Sequence, residues 1–210
     1  MATILRDLSY RYQWLYDNIS RVAALAVGGE GRFRQLALQD FDWQPETRVL
    51  DLCCGWGQTT ALLVERSNCV TGLDASPKAL ARARSAVPQA TYVEAFAEAM
   101  PFPDGSFEVV HSSAAMHEME AEQLRQIFQE VHRVLVPGGC FLFSDFHAPT
   151  NPLFWPGVAA FFWLFETETA WEFVQTDVPG LLESIGFCDV SQAFYAGGSV
   201  QVLRAKRATS

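Results

Sequence analysis

The sequence predicts an α/β domain: a mostly parallel seven-stranded sheet with helices on both faces and an antiparallel hairpin at its C-terminal end. Three observations predict it. From residue 48 onward, short apolar runs alternate with helical stretches, the β-α-β-α-β order whose crossovers make neighbouring strands parallel. A glycine-bearing loop joins the first of these strands to the first of these helices. Near the C-terminus two strand-like runs are separated only by Ala196-Gly197-Gly198, which makes a hairpin.

The elements follow in order. Residues 3–27 set Leu5, Leu8, Tyr12, Leu15, Tyr16, Ile19 and Val22 at helical spacing, and Gly28-Gly29-Glu30-Gly31 interrupts them. A second helix is expected over 32–39, and residues 1–44 together are expected to form a helical lid. The first strand is 48–53, followed by the glycine loop and a helix over 59–66. The next strand, 69–73, ends at Asp74; Ser76 then caps a helix with Pro77 in its first turn. Strands are expected at 90–94 and 107–112, and a helix over 122–135 stopped by Pro137-Gly138-Gly139 before a fifth strand at 140–144. A helix over 179–185 ends at Gly186, and the hairpin strands are 188–195 and 199–205. Residues 45–210 thus read as one domain, with 148–176 as an apolar insertion.

Composition narrows the function. The 210-residue chain carries a net charge of −9 and no Lys/Arg-rich run, which argues against a nucleic-acid partner. Arg204, Lys206 and Arg207 read as a solvated tail. The five cysteines are odd in number and spaced for neither a zinc site nor a disulfide framework, so no metal is expected and a reducing, cytoplasmic setting is. The N-terminus lacks signal-peptide features, and no apolar run approaches the roughly 20 residues of a spanning helix.

The segment 49–58, Val-Leu-Asp-Leu-Cys-Cys-Gly-Trp-Gly-Gln, carries the chemistry. Glycines at 55 and 57 let backbone approach a ligand, and the helix beyond offers unpaired N–H groups. Asp74 ends the next strand, about 20 residues on, where an acid can hold ribose hydroxyls. A dinucleotide site wants a third glycine, but Thr60 stands there and Trp56 crowds the loop. Asp51, expected at the mouth, would repel a pyrophosphate. It would attract the cationic end of S-adenosylmethionine (SAM), which favours SAM over NAD.

Asp51-x-x-x-Gly55-x-Gly57 followed by Gly72-Leu-Asp74-Ala-Ser resembles the first two motifs of class I SAM-dependent methyltransferases, which share a Rossmann-like sheet. Residues 100–110 and Arg133-Val-Leu-Val-Pro-Gly-Gly139 are similar to that family's entry into its fourth strand and turn into its fifth. The nearest type is the ubiquinone/menaquinone-biosynthesis methyltransferases, over about 45–147. The resemblance implies that Asp51, Cys53, Gly55 and Gly57 line the methionine end of SAM, that Asp74 binds ribose, and that Ala75 packs near adenine. Two positions depart. Cys53 replaces the loop's first glycine, a mild change if the backbone there is extended. Phe96 replaces an Asp that hydrogen-bonds adenine, leaving Phe96 to contact the ring and the Ala97 amide or Glu98 to meet its amino group.

SAM arrives activated, so the protein mainly aligns reactants and excludes water. Ligands of open α/β sheets sit at the carboxyl ends of the strands. Candidates there are His111, Ser112, Ser113 and His117 after the fourth strand and Asp145 and His147 after the fifth. Ser112 is expected to face the cofactor. His117 is the first choice of base and His147 the second, a structural hydrogen bond being the other reading of each. Residues 151–165 are almost wholly apolar and read either as a buried helix or as a wall for a greasy acceptor. The aromatic N-terminal helix (Tyr10, Tyr12, Trp14, Tyr16) would close the other side. A prenylated quinone precursor, methylated on carbon, suits the resemblance, and peripheral membrane contact is expected from the apolar segment alone. O- or N-methylation, or SAM binding without catalysis, are the alternatives.

Overall fold

The computed structural model describes residues 28–39 and 41–209. The helix expected over 3–27 lies outside them. The described chain runs α1 (Glu30–Leu36), β1 (Arg48–Leu52), α2 (Gln58–Leu63), β2 (Cys69–Asp74), α3 (Pro77–Ala86), β3 (Thr91–Glu94), β4 (Phe107–Ser113), α4 (Ala121–Val134) and β5 (Leu135–Phe146). It continues through α5 (Trp155–Phe165), α6 (Glu168–Phe173), α7 (Val178–Ile185), β6 (Phe187–Tyr195) and β7 (Val200–Arg207). The strands form one seven-stranded sheet in the order β3-β2-β1-β4-β5-β7-β6. The β5–β7 and β6–β7 pairs are antiparallel and the remaining pairs parallel, as the alternation and the hairpin predict. The order reverses between β1 and β4, which opens a crevice at their carboxyl ends.

The core explains these elements. β1 is central, so Val49, Leu50 and Leu52 are fully buried and the strand reads as a continuous apolar run. α4 sends Leu124, Ile127, Phe128, Val131 and Val134 inward at helical spacing. Phe128 meets Phe141 and Phe143 of β5 at ring distances of 5.7 and 6.2 Å. Full burial of each such side chain stabilises by about 1.5–3 kcal/mol. A second apolar layer on the opposite face packs Phe33 and Leu36 of α1 against Val49, Val109 and Leu142.

One boundary differs from expectation. Pro137 disfavours helix at the preceding residue, so α4 stops at Val134 and β5 starts at once. The Pro-Gly-Gly stretch therefore lies inside the strand rather than in a loop, with a register shift between Phe107 and Val109.

In β2, a Cβ at Gly72 would lie 2.9 Å from Cys54 Sγ and from the Tyr92 ring. Gly72→Ala is therefore expected to lower unfolding free energy by about 1–3 kcal/mol, read from the urea midpoint.

The insertion 148–176 departs from a buried helix. Asn151 caps a short 3₁₀ turn, Pro152–Phe154, by accepting from the Leu153 amide, and its own amide donates to Gly197 O. Beyond that root, Phe162 is buried, but Leu153 and Trp163 are 86% and 74% exposed. No helix among the described residues is long and apolar enough to cross a membrane.

Candidate active site

The chain leaves β1 through a sharp loop. Cys53, Gly55 and Gly57 all take positive φ, at 56°, 54° and 84°, before α2 begins. The backbone at Cys53 is thus left-handed, not extended, and a cysteine there stores on the order of 1 kcal/mol of strain. A Cβ at Gly57 would press on Ala83 of α3, whereas one at Gly55 would meet only Gln58 Oε1, at 3.8 Å. Gly57 therefore serves packing, and Gly55 opens its backbone to the crevice.

Asp74 fastens the loop. Its Oδ2 accepts from the Gly55 amide at 2.8 Å, and its Oδ1 from the Ser76 amide at 2.9 Å. The Cys54 amide donates to Leu73 O at 3.0 Å. Burial first, then Asp74 and Asp51, push the Cys53 thiol well up; burial and the same two acids do so for Cys54. Both thiols stay protonated and are poor nucleophiles.

These elements enclose a cavity of about 420 Å³, within the roughly 300–1,000 Å³ of small-molecule sites. Of the residues expected there, Cys53, Gly55, Asp74, Ala75, Phe96 and Ala97 line it. Asp51, Gly57 and Ser112 are not in its wall. Asp51 lies beneath the loop rather than at the mouth: Thr60 Oγ1 donates to its Oδ2 at 2.6 Å and His111 Nδ1 sits 3.0 Å from its Oδ1. Ser112 is buried with its hydroxyl unpartnered, while Ser113, on the opposite face of β4, reaches the cavity and bonds Thr59 at 3.3 Å. Glu98 and Glu118 add negative charge to the wall beside Asp74. Arg34, Lys78 and Arg82 line it too, so the wall carries charges of both signs beside an open glycine backbone and an exposed aromatic ring, Phe96, a lining that suits a nucleoside bearing both cationic and anionic groups.

Comparison with known proteins agrees. Residues 49–139 match the methyltransferase-domain family. An uncharacterized methyltransferase of Synechocystis sp. is 54% identical over 206 residues, covering 98% of this chain and 97% of that relative. The chain belongs to the class I SAM-dependent methyltransferases. A demethylmenaquinone methyltransferase of Chlorobaculum parvum is 36% identical over 141 residues, or 66% of this chain and 58% of that relative's length. The fold superposes on a SAM-dependent methyltransferase of Mesorhizobium loti with a TM-score of 0.64 at 24% identity, covering 87% of this chain and 100% of that one.

The two histidines expected as bases in this methyltransferase, His117 and His147, stand outside the cavity wall. His117 is buried, with Nδ1 2.6 Å from Asp145 Oδ1 and Nε2 3.6 Å from Glu166 Oε2. Burial pulls its pKa down, but Asp145, Glu166 and Glu118 outweigh that and carry it up to about 9. His117 is therefore an imidazolium at neutral pH and has no free base to offer. His147 Nδ1 lies 3.0 Å from Gly198 O, and its ring centroid is 4.6 Å from that of Phe194 with the planes tilted by 48°. Ser113, a candidate in the sequence, lines the cavity in place of its neighbour Ser112, as the alternation along β4 dictates. Arg34, Glu118 and Met119 line it too and carry no signal in the sequence; α1, which bears Arg34, precedes every motif.

Proposed function

We propose that this methyltransferase transfers the methyl group of SAM to a ring carbon of a prenylated quinone precursor. In this reading Cys53 and Gly55 face the methionine end, Asp74 holds the ribose, and Ala75, Phe96 and the Ala97 amide contact adenine. Asp51 acts from behind, fixing the loop through Thr60 and His111. Gly57 lets α3 approach, and Ser112 closes the core face of β4. SAM supplies an electrophilic methyl group; the chain's residues supply alignment and a dry cavity. Where the acceptor must lose a proton, the reading prefers His147 to His117. His147 keeps Nε2 without a partner among the described residues, whereas His117 is held between two carboxylates.

The observation that carries the acceptor class is the exposure of two large apolar side chains, Leu153 and Trp163, in the insertion after β5. A polyprenyl tail is the small-molecule feature that such side chains would cover. The name of the Chlorobaculum relative points to the same chemistry. The same side chains would rest on the membrane in which such an acceptor dissolves, and liposome flotation of wild type against the double variant Leu153→Asp/Trp163→Asp checks that. The reaction itself is tested with prenylated and unprenylated naphthoquinols and product mass spectrometry. Trp163→Asp is expected to raise KM for the prenylated acceptor about 10-fold or more, from the lost burial of one large side chain, with SAM affinity unchanged. Methylation confined to oxygen or nitrogen of unprenylated acceptors would overturn the assignment.

Phe96 offers a smaller test. Its ring is 65% exposed, so Phe96→Ala should leave stability unchanged. If the ring packs on adenine, the same change weakens SAM binding by about 3- to 10-fold in calorimetry.

A further inference from the structure

We propose that Asp145 is a positioning residue for the methyl acceptor: its buried carboxylate holds the turn after β4, and that turn forms the wall facing the reacting end of SAM. The inference rests on the placement of SAM given above and names what holds the wall opposite it. The SAM contacts assigned there come from the loop after β1, the end of β2 and residues 96–97. Another part of the cavity wall, Ala114, Ala115, Glu118 and Met119, belongs to the turn that follows β4. Glu118 is one of the charges that act on the Cys53 thiol, so this turn faces the methionine end, where the methyl group departs. An in-line displacement brings the acceptor atom to the methyl group on the side away from sulfur, so a wall at that end sets its approach. Met119 offers an aromatic acceptor a soft, polarisable thioether there.

The turn is poorly supported by its own residues. Ala114 takes a φ of 51°, the left-handed region that a residue with a Cβ enters at a cost. The 3₁₀ turn that follows, Met116–Glu118, has no capping side chain at its start, which would leave its first amides unpaired.

β5 supplies what the turn lacks. Ser144 O accepts from the Ala114 amide at 2.9 Å. Asp145 Oδ2 accepts from the amides of Ala115 and Met116 at 3.2 and 2.8 Å, with the His117 amide farther off at 3.4 Å. The amides of residues 114–117 are thus all held by two consecutive residues of a neighbouring strand. The other oxygen, Oδ1, lies 2.6 Å from His117 Nδ1 and accepts from the Phe146 amide at 2.8 Å, so the carboxylate cannot rotate. Asp145 is fully buried and stands outside the cavity wall. It therefore acts through the turn and not on the ligand. Without it the turn is free to shift, and a displacement of about 1 Å in an aligning wall can cost about 100-fold in rate.

The test uses the full chain with SAM and three acceptor probes: a prenylated naphthoquinol, its unprenylated parent and a catechol. Asp145→Ala alone would strand the His117 imidazolium, so the double variant Asp145→Ala/His117→Gln is compared with His117→Gln. Both lack the ion pair, and they differ in the bonds to the turn. Urea midpoints establish that each is folded in the assay; Asp145→Ser/His117→Gln serves where the alanine variant does not fold. Relative to His117→Gln, the double variant is expected to lose about 10- to 100-fold in kcat, while SAM affinity in calorimetry stays within about threefold. Asp145→Asn in place of alanine keeps an oxygen for the amides and should recover most of the loss. Met119→Ala should raise KM for the naphthoquinol about 3- to 10-fold in the His117→Gln background. It should do much less once Asp145 is gone, because the turn then no longer presents Met119. A loss of SAM affinity as large as the loss in kcat would mean that Asp145 supports the whole domain, and would overturn the inference. So would an unchanged kcat, or a Met119→Ala effect undiminished in the double variant. Wild type that methylates only the catechol overturns the quinone reading, and the same comparison on the catechol then decides the role of Asp145. Wild type inert toward every probe overturns both.

Discussion

Replacing Asp74 with alanine is expected to weaken SAM binding by about 100-fold or more. Two losses combine. The carboxylate would no longer hold the ribose, and the loop it fastens would be released. Its two bonds to the Gly55 and Ser76 amides at 2.8 and 2.9 Å are charge-assisted, each worth roughly 1.5–3 kcal/mol. A carboxylate has about four lone-pair sites, so these two bonds leave room for ribose hydroxyls on the same oxygens. Asp74→Asn keeps one oxygen acceptor and should lose less, about 10-fold. Calorimetry with SAM separates the two variants, and urea unfolding reports how much of the effect is loop stability. An Asp74→Ala protein that bound SAM within about threefold of wild type would remove Asp74 from the site.

The same residue shows why part of the site was legible in the sequence. Asp74 and the glycine loop sit at strand ends, where topology alone decides which way they face. Asp51 does not. It lies within β1, opposite His111 of β4 in the register, and that pairing across 60 residues has no signature in either segment. Residue type marked both as functional candidates, but only the register shows that each occupies the other. Ser112 and Ser113 make the same point at shorter range. Successive strand residues face opposite sides, so a shift of one position exchanges core for cavity. The apolar insertion was plain from composition, but composition does not say which face is covered. Trp163 lies outward because α5 packs on the body through buried Phe162 with Val158 and Phe161 beside it, and Leu153 lies outward in the 3₁₀ turn that precedes α5. Arg34 reaches the cavity from outside the segment that the motifs cover, so no local pattern announced it.

Stability should fall as pH rises from about 6.5 to about 9, and His117 should be the cause. Its folded pKa is raised above its ordinary value of 6.5, so the protonated ring stabilises the fold fully below pH 6.5. That contribution is lost as pH climbs through about 9. The size is on the order of 3 kcal/mol, from a shift of two to three pH units at about 1.36 kcal/mol each. The groups facing the ring are Asp145 of β5, Glu166 just past α5, and Glu118 on its own turn. Asp145 also accepts from the Met116 amide at 2.8 Å, so it cannot turn away when His117 is lost. His117→Ala would remove the imidazolium that lies between Asp145 and Glu166 and leave a cavity beside Phe146, whose ring centroid is 4.5 Å from that of the imidazole. It is expected to cost about 3–5 kcal/mol at pH 6.5 and to flatten the pH dependence. Because Glu166 follows α5 directly, the same titration loosens the anchor of the apolar insertion. KM for a prenylated acceptor should then rise at pH 9 while SAM affinity holds, a split that simple unfolding would not produce. Urea midpoints at pH 6 and pH 9 decide the matter. A flat profile would mean that His117 keeps its ordinary value of 6.5 in the folded protein, and the role of general base would return to it.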